Sequence, residues 1–377
     1  MIDLSAINAL PPAVQQRLFE GPALASPDGI SQFSNPPNWN SLGYGVAITG
    51  IVTVGVLVSV QIYSRLRYHR KFGLEDYITI SALISFATFM AFVLRIVVSP
   101  GIFVHQWDIQ LKNMPDLLYN ITATAIAYCP VVAFLKAGIL LHWTKLFVPT
   151  GYRNGFWWAC HITLWVNVVF YTICMFLQIF ACSPRHKLWT PWAPGKCADV
   201  AMVYIIPACI NVVFDFIILL IPQMVIWKLH ASTAKKIGIS ALFAVGILAT
   251  IAAGFRIRST ITFTEVEDVS YAVTELGLWA VAEMVAGFFA LCLPHIPILF
   301  KHSPWIQKAI SAIRSFSGQS SSRTGGSEPE SAGRAGFGTF RKARRNPDAS
   351  LFTDTHLSNR SFIPLSDVSA SKNRSAV

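Results

Sequence analysis

The sequence is poor in charged residues. Only 13% of its 377 residues are Asp, Glu, Lys or Arg, while 53% are hydrophobic; an ordinary soluble domain has about 25% charged residues. Burial in lipid accounts for this deficit. The net charge of +11 does not indicate a nucleic-acid partner, because the excess is concentrated in residues 301–377, where a cytosolic tail would face anionic lipid.

Several catalytic and cofactor signatures are also missing. Residues 271–299, the last apolar run, contain no lysine, and retinal attachment as a Schiff base needs an amine there. No His-x-x-x-His pair occurs, although seven-helix zinc hydrolases need clustered histidines. The third run is followed by His142-Trp143-Thr144-Lys145. In the large class of seven-helix receptors the third helix ends in Asp-Arg-Tyr instead. We therefore expect no enzyme activity, no retinal or other cofactor, and no metal.

Seven apolar runs are present instead. Each is about 20 residues or longer, the length that an α-helix needs to cross about 30 Å of hydrocarbon, and backbone polar groups in lipid must be satisfied within the helix. The runs are 44–63, 77–99, 119–141, 156–180, 200–227, 237–255 and 271–300. We predict an all-α, multi-pass bundle of seven transmembrane helices, surrounded by the lipid bilayer of the plasma membrane or an endomembrane.

The distribution of basic residues predicts the orientation. Arg17 is the only basic residue of the N-terminal tail, and cytosolic segments favour Lys and Arg, so we expect the N-terminus outside and the C-terminus in the cytosol. No signal peptide is apparent at the start, so the first span should direct insertion. The loops richer in Lys and Arg than their alternates are 64–76, 142–154 and 228–236.

Four segments follow from these patterns. Ser303 and Pro304 suit a helix start, and apolar residues then recur at helical spacing, which favours an amphipathic helix lying on the membrane; an extension of the seventh span is the alternative. The Ser-rich, basic end has too few aliphatic residues to bury a core. The segments are an extracellular tail 1–41, the seven-helix domain 42–300, the interfacial helix 301–316 and a disordered cytosolic tail 317–377.

A few charged and polar residues lie inside the runs. A charge in the bilayer costs at least about 2.5 to 3.5 kcal/mol, and a rise of about 1.5 Å per residue puts Lys136, Asp215 and Glu283 at similar depth. Lys136 could pair with either carboxylate. We predict an intramembrane polar site from this layer and from residues nearer the outer surface; the alternative is that these residues only join the helices. The candidates are Lys136, Asn211, Asp215 and Glu283, together with an outer group of Arg95, Arg256 and Glu275.

Two cysteines, Cys182 and Cys197, share the loop between the fourth and fifth runs. Trp and Pro residues lie between them. In an oxidising outer compartment we predict that they form a disulfide, which would shape an aromatic lid over the bundle. Metal binding by the two cysteines is the weaker alternative.

An ordered series of short motifs resembles the fungal rhodopsin-like integral membrane proteins, a family named after a satratoxin-cluster membrane protein and related to a class of fungal receptors. The resemblance spans about residues 40–300 and begins with the Arg-rich stretch Arg65 to Tyr77, which contains Gly-Leu-Glu-Asp-Tyr. Further matching positions are His105, Trp107, Lys136, Lys145-Leu146-Phe147, Cys182, Cys197, Asn211, Asp215, Pro222, Trp227, Arg256, Glu283, Cys292, Leu293 and Pro294.

The resemblance implies a filamentous fungal source, seven spans and an ancillary role in secondary metabolism, such as mycotoxin biosynthesis. The rhodopsin label of the family does not imply retinal. We therefore expect a receptor-like protein that takes a small amphipathic ligand and passes the change to a cytosolic signalling partner. The alternative is a transporter or exporter of a small amphipathic metabolite, because buried charges are also typical of transport proteins.

Overall fold

Long helices account for nearly all of the described chain. The computed structural model describes residues 10–69, 73–148, 152–226 and 233–295. The helices are α1 Pro12–Glu20, α2 Asn40–Ser64, α3 Leu74–Val98, α4 Met114–Phe147, α5 Gly155–Ile179, α6 Val200–Ile226, α7 Thr233–Glu265 and α8 Val269–Cys292.

Within these residues, α2 to α8 are long and apolar enough to cross a membrane, which confirms the predicted all-α, seven-span fold. The predicted interfacial helix 301–316 and tail 317–377 lie outside the described residues.

The helices begin where local chemistry satisfies their first free N–H groups. Asn154 accepts a hydrogen bond from the Trp157 N–H at 2.9 Å at the start of α5. Asp268 does the same for the Tyr271 N–H at the start of α8. At the start of α3, the Asp76 side chain instead accepts from the backbone N–H of Gly73 at 2.8 Å. Short polar side chains at these positions mark the helix starts.

The sixth span continues further than its apolar pattern predicts. The sequence pattern ends at residue 255, whereas α7 reaches Glu265. Arg256 and Arg258 lower the hydropathy of this stretch. The backbone stays helical because its N–H and C=O groups would lose their hydrogen bonds if the helix ended inside the membrane. Arg256 therefore lies well within α7, and its side chain is buried.

One end of the bundle is closed by the disulfide loop, and it is called the disulfide end below. Cys182 and Cys197 are bonded, which confirms the predicted disulfide, and they join two short antiparallel strands, β1 Cys182–Ser183 and β2 Lys196–Cys197. The N-terminal segment also packs here, because Phe19 of α1 meets Trp192 at a centroid distance of 5.2 Å.

The opposite end is joined by an ion cluster. Glu75 at the start of α3 is only 1% exposed, and its carboxylate accepts from Arg65 Nη2 and Lys145 Nζ at 2.5 Å each. Arg65 also contacts Asp76, at 3.0 Å. Arg65 directly follows α2, and Lys145 lies in the last turn of α4, so the cluster joins α2, α3 and α4. Glu75 and Asp76 belong to the Gly-Leu-Glu-Asp-Tyr motif that resembles the family.

Between the middle of the bundle and this ion cluster the core is densely packed. Phe86 and Phe288 meet edge to face at 5.4 Å, and Leu140 and Leu291 are fully buried. Gly138 of α4 is packed so closely against α8 that an added Cβ would lie 2.7 Å from Leu291 Cδ1. Close packing of this kind leaves little room for water or a ligand.

Candidate functional site

A buried ion pair joins α4 and α6. Lys136 Nζ lies 2.8 Å from Asp215 Oδ1, and the side chains are 6% and 13% exposed. The same ammonium group donates to the backbone carbonyl of Asn211 at 2.9 Å and to its Oδ1 at 2.8 Å. All three donors of Lys136 therefore have oxygen partners, as a buried ammonium requires.

A second buried ion pair joins α7 and α8. Arg256 Nε donates to Glu283 Oε2 at 2.7 Å, and both side chains are less than 10% exposed. The Tyr128 O–H donates to the other carboxylate oxygen of Glu283 at 3.0 Å, while the Arg256 guanidinium lies 4.8 Å from the Tyr128 ring centroid. This cation–π contact adds a second attraction for the same charge.

Asn211 connects the two pairs. Its Nδ2 donates to Glu283 Oε1 at 2.7 Å, and its Oδ1 accepts from Lys136 and from the Tyr171 O–H. The connected residues, called the charged layer from here on, come from five helices: Tyr128, Lys136, Tyr171, Asn211, Asp215, Arg256 and Glu283. Two cations face two carboxylates, so the layer carries no net charge and leaves neither carboxylate unpaired.

The structure brings together five of the seven predicted polar-site residues. Lys136, Asn211, Asp215 and Glu283 occupy one layer, as their predicted depths suggest, but Arg256 also belongs to it rather than to an outer group. Lys136 pairs with Asp215, and Glu283 takes Arg256 as its partner.

Arg95 and Glu275 lie elsewhere. Arg95 is exposed on α3, and Glu275 lines a groove between α2 and α8. Neither side chain contacts the charged layer in any hydrogen bond or ion pair among the described residues.

Tyr128 and Tyr171 were missed by the sequence reasoning. A tyrosine within an apolar run cannot be distinguished from other hydrophobic residues by pattern, because its aromatic ring can pack in lipid or in the protein core. One signal was available: Tyr128 precedes Lys136 by eight residues, which keeps both within one broad helix face. The partners on other helices were not visible from that spacing.

A cavity lies between the charged layer and the disulfide end. It contains about 1220 Å³ of space unfilled by atoms, counting open space at its mouth, and all seven spans contribute to its lining. The side chains around it are mostly apolar. Its polar lining residues are Thr124, Tyr128, Tyr171, Gln178, Tyr204, Asn211, Arg256, Thr260 and Thr274.

The cavity ends at the charged layer. Tyr128, Tyr171, Asn211 and Arg256 belong both to its lining and to the layer. A molecule at the base of the cavity would therefore touch the hydrogen-bond partners of both ion pairs. Arrangements of this kind, in which an apolar pocket converges on a few polar groups, are typical of small-molecule sites.

Several known proteins are similar to this chain in sequence. The fungal rhodopsin domain model matches residues 60–302. Fugralins biosynthesis cluster protein 2 of Gibberella zeae is 36% identical over 294 residues, covering 76% of this chain and 72% of that protein. No solved structure matches.

Two further relatives match shorter regions. A SAT4 family membrane protein of Emericella nidulans is 31% identical over 52% of this chain and 50% of its own length. Satratoxin biosynthesis SC1 cluster protein 4 of Stachybotrys chartarum is 29% identical over 32% of this chain and 43% of its own length. The seven spans, the matched domain and these relatives together show that the chain belongs to the fungal rhodopsin domain family, as a multi-pass membrane protein with relatives in secondary-metabolite clusters.

Proposed function

We propose that this protein is a receptor-like membrane protein that binds a small apolar or amphipathic metabolite in the cavity, without chemical conversion and without retinal. The observation that carries the proposal is that the cavity stops at the charged layer, with densely packed core beyond it. A bound molecule would then act on the layer instead of passing through the bundle.

The charged layer gives such binding a route to the rest of the protein. Asn211 and Arg256 line the cavity. Asn211 accepts a hydrogen bond from Lys136, and Arg256 donates one to Glu283. A ligand that shifts either side chain would change the pairing between α4, α6, α7 and α8. A ligand shifts a conformational equilibrium only by its difference in affinity between the two states, and contacts with Asn211 and Arg256 that change with the pairing would supply this difference.

The names of the relatives suggest the context. Two of them are named for the biosynthesis clusters of fugralins and satratoxin, so we propose an ancillary role in a secondary-metabolite pathway. A deletion strain should then change in metabolite production or in resistance to the product. An unchanged strain on both counts would contradict the pathway role.

The cavity offers a direct test of binding. Gly277 lines it, and an added Cβ would meet no atom within 4 Å, so Gly277→Phe should fill the cavity without a backbone clash. Gly254 of α7 is equally open but lies outside the cavity, so Gly254→Phe is the matched control. Full-length protein purified from the producing fungus should retain a small molecule, detected by mass spectrometry, in the wild type and the control but not in Gly277→Phe. Equal retention in both variants would contradict the proposal.

Export is the second candidate. Two of the helices that line the cavity contain prolines, which are common in the spans of transporters, although both helices continue through them: Pro130 lies in α4, and Pro207 and Pro222 lie in α6. Proteoliposomes containing only this protein should move the retained metabolite if it is an exporter. Ligand-dependent recruitment of a cytosolic protein without flux would support the receptor.

A further inference from the structure

The base of the cavity holds a hydrogen-bond donor that no described residue uses. Arg256 is 7% exposed and lines the cavity. Its Nε donates to Glu283, but its Nη2 is buried without a hydrogen-bond partner. A buried donor without a partner is costly, so a ligand oxygen placed beside the guanidinium would gain a charge-assisted hydrogen bond.

The charge of the layer restricts which oxygen this can be. Glu283 already neutralises Arg256, and Asp215 neutralises Lys136. A carboxylate ligand would therefore add an unbalanced negative charge beside Glu283, in a region with little water to solvate it. A neutral carbonyl oxygen accepts from the same guanidinium and adds no charge.

A second unused polar atom lies on the cavity wall. Gln178 of α5 donates through Nε2 to Cys129 Sγ at 3.6 Å, which leaves its Oε1 buried and without a partner. Gln178 is 8% exposed and lines the cavity. Two residues that line the cavity thus each carry a buried polar atom that no described residue uses: a donor on Arg256 and an acceptor on Gln178.

From these observations we infer the chemical class of the ligand: a mainly apolar, uncharged molecule with a carbonyl oxygen, as in a ketone, ester, lactone or amide, that accepts from Arg256. A hydroxyl or N–H elsewhere on the molecule would satisfy Gln178. This inference rests on the proposed binding function and adds to it the group that is recognised.

Three probes of matched chain length test the carbonyl: undecan-2-one, undecane and undecanoate. Full-length protein in nanodiscs is titrated with each, and bound probe is counted by native mass spectrometry against empty nanodiscs. The ketone should bind about tenfold or more tightly than the other two, the scale of one charge-assisted hydrogen bond. Arg256→Lys keeps a cation beside Glu283 but replaces the planar guanidinium by a compact ammonium, which has no donor in the position of Nη2, so it should reduce ketone affinity to that of undecane.

The control variant is Arg258→Lys, because Arg258 is exposed on the same helix and does not line the cavity. It should keep the ketone preference. If Arg256→Lys does not fold, Arg256→Met combined with Glu283→Leu replaces the whole ion pair by apolar side chains of similar size, an exchange that buried pairs often tolerate. This double variant should lose the same preference.

The outcomes separate the inference from the function on which it rests. Equal binding of ketone and alkane, abolished by Gly277→Phe and unchanged by Arg256→Lys, would overturn the carbonyl assignment and leave the proposed function standing. Tightest binding of undecanoate would also overturn the assignment. No binding of any probe to the wild type, with no metabolite retained from the fungus, would contradict the proposed function itself.

Discussion

Asn211 holds the charged layer together because one amide serves both ion pairs. Its carbonyl oxygen accepts from Lys136 and Tyr171, and its amino group donates to Glu283. Neither carboxylate is left to face lipid alone, which is the arrangement that makes buried charge tolerable. Both tyrosine hydroxyls add donors to this network without adding charge.

The first prediction concerns the Lys136–Asp215 pair. Lys136→Met leaves Asp215 buried without its cation and removes two donors to Asn211. We expect the free energy of unfolding to fall by about 3 to 5 kcal/mol, the usual cost of breaking one partner of a buried pair. Denaturant titration of the detergent-purified protein measures this loss.

The matched control for this pair is the double variant Lys136→Met with Asp215→Leu. It removes both charges together, so it should lose clearly less stability than Lys136→Met alone. A double variant at least as unstable as the single variant would show that the pair does not contribute by charge compensation.

At the scale of elements, close contact between α4 and α8 separates the cavity from the rest of the bundle. Gly138 of α4 packs against Leu291 of α8. One turn away, Gly287 of α8 packs against Leu135 of α4, and a Cβ added to Gly287 would lie 3.0 Å from Leu135 Cδ1. The two helices thus interlock beyond the charged layer. The ion cluster around Glu75 then fixes α3 and α4 at the far end.

Filling this contact should be destabilising. In Gly138→Val the new side chain meets Leu291, which is fully buried and has little room to move. We expect a loss of about 1 to 3 kcal/mol from overpacking, measured as a lower free energy of unfolding. Gly254→Val, at an open position on α7, should change stability much less; equal losses would place the effect in helix propensity instead of packing.

At the scale of the whole molecule, an odd number of spans puts the two ends of the seven-helix domain on opposite sides of the membrane. The N-terminal segment packs at the disulfide end, and the cavity lies on that side of the charged layer. The Glu75 cluster lies at the other end. We predict that the disulfide end is extracellular or lumenal, because this oxidising side preserves disulfides and because basic residues are scarce in the N-terminal segment.

Cysteine labelling in intact cells tests this orientation. Lys112 is exposed near the disulfide end, and Tyr152, 74% exposed, lies at the other end. If the protein is at the cell surface, Lys112→Cys should react with a membrane-impermeant maleimide in intact cells, and Tyr152→Cys only after permeabilisation; for an endomembrane location the same comparison is made on sealed vesicles. The reverse pattern would overturn the predicted orientation. The parent protein is the control for reaction of the cysteines within the spans.

The seven helices can be predicted from the sequence alone, because the length of an apolar run and the need to satisfy backbone hydrogen bonds in lipid act locally along the chain. The sequence also predicted the disulfide, since Cys182 and Cys197 share a loop, and the structure confirms the bond. The depth of Lys136, Asp215 and Glu283 followed from helical rise alone.

Which charges meet depends on how the helices pack against one another. Spacing along a helix gives depth but neither the rotation of that helix nor its neighbours, so the choice of Asp215 for Lys136 and the recruitment of Arg256 to Glu283 were not accessible from the sequence. The same limit hid Tyr128 and Tyr171, whose roles depend on partners from other helices. The cavity that ends on this layer exists because seven separate helices pack together, and its shape depends on distances that no single segment encodes.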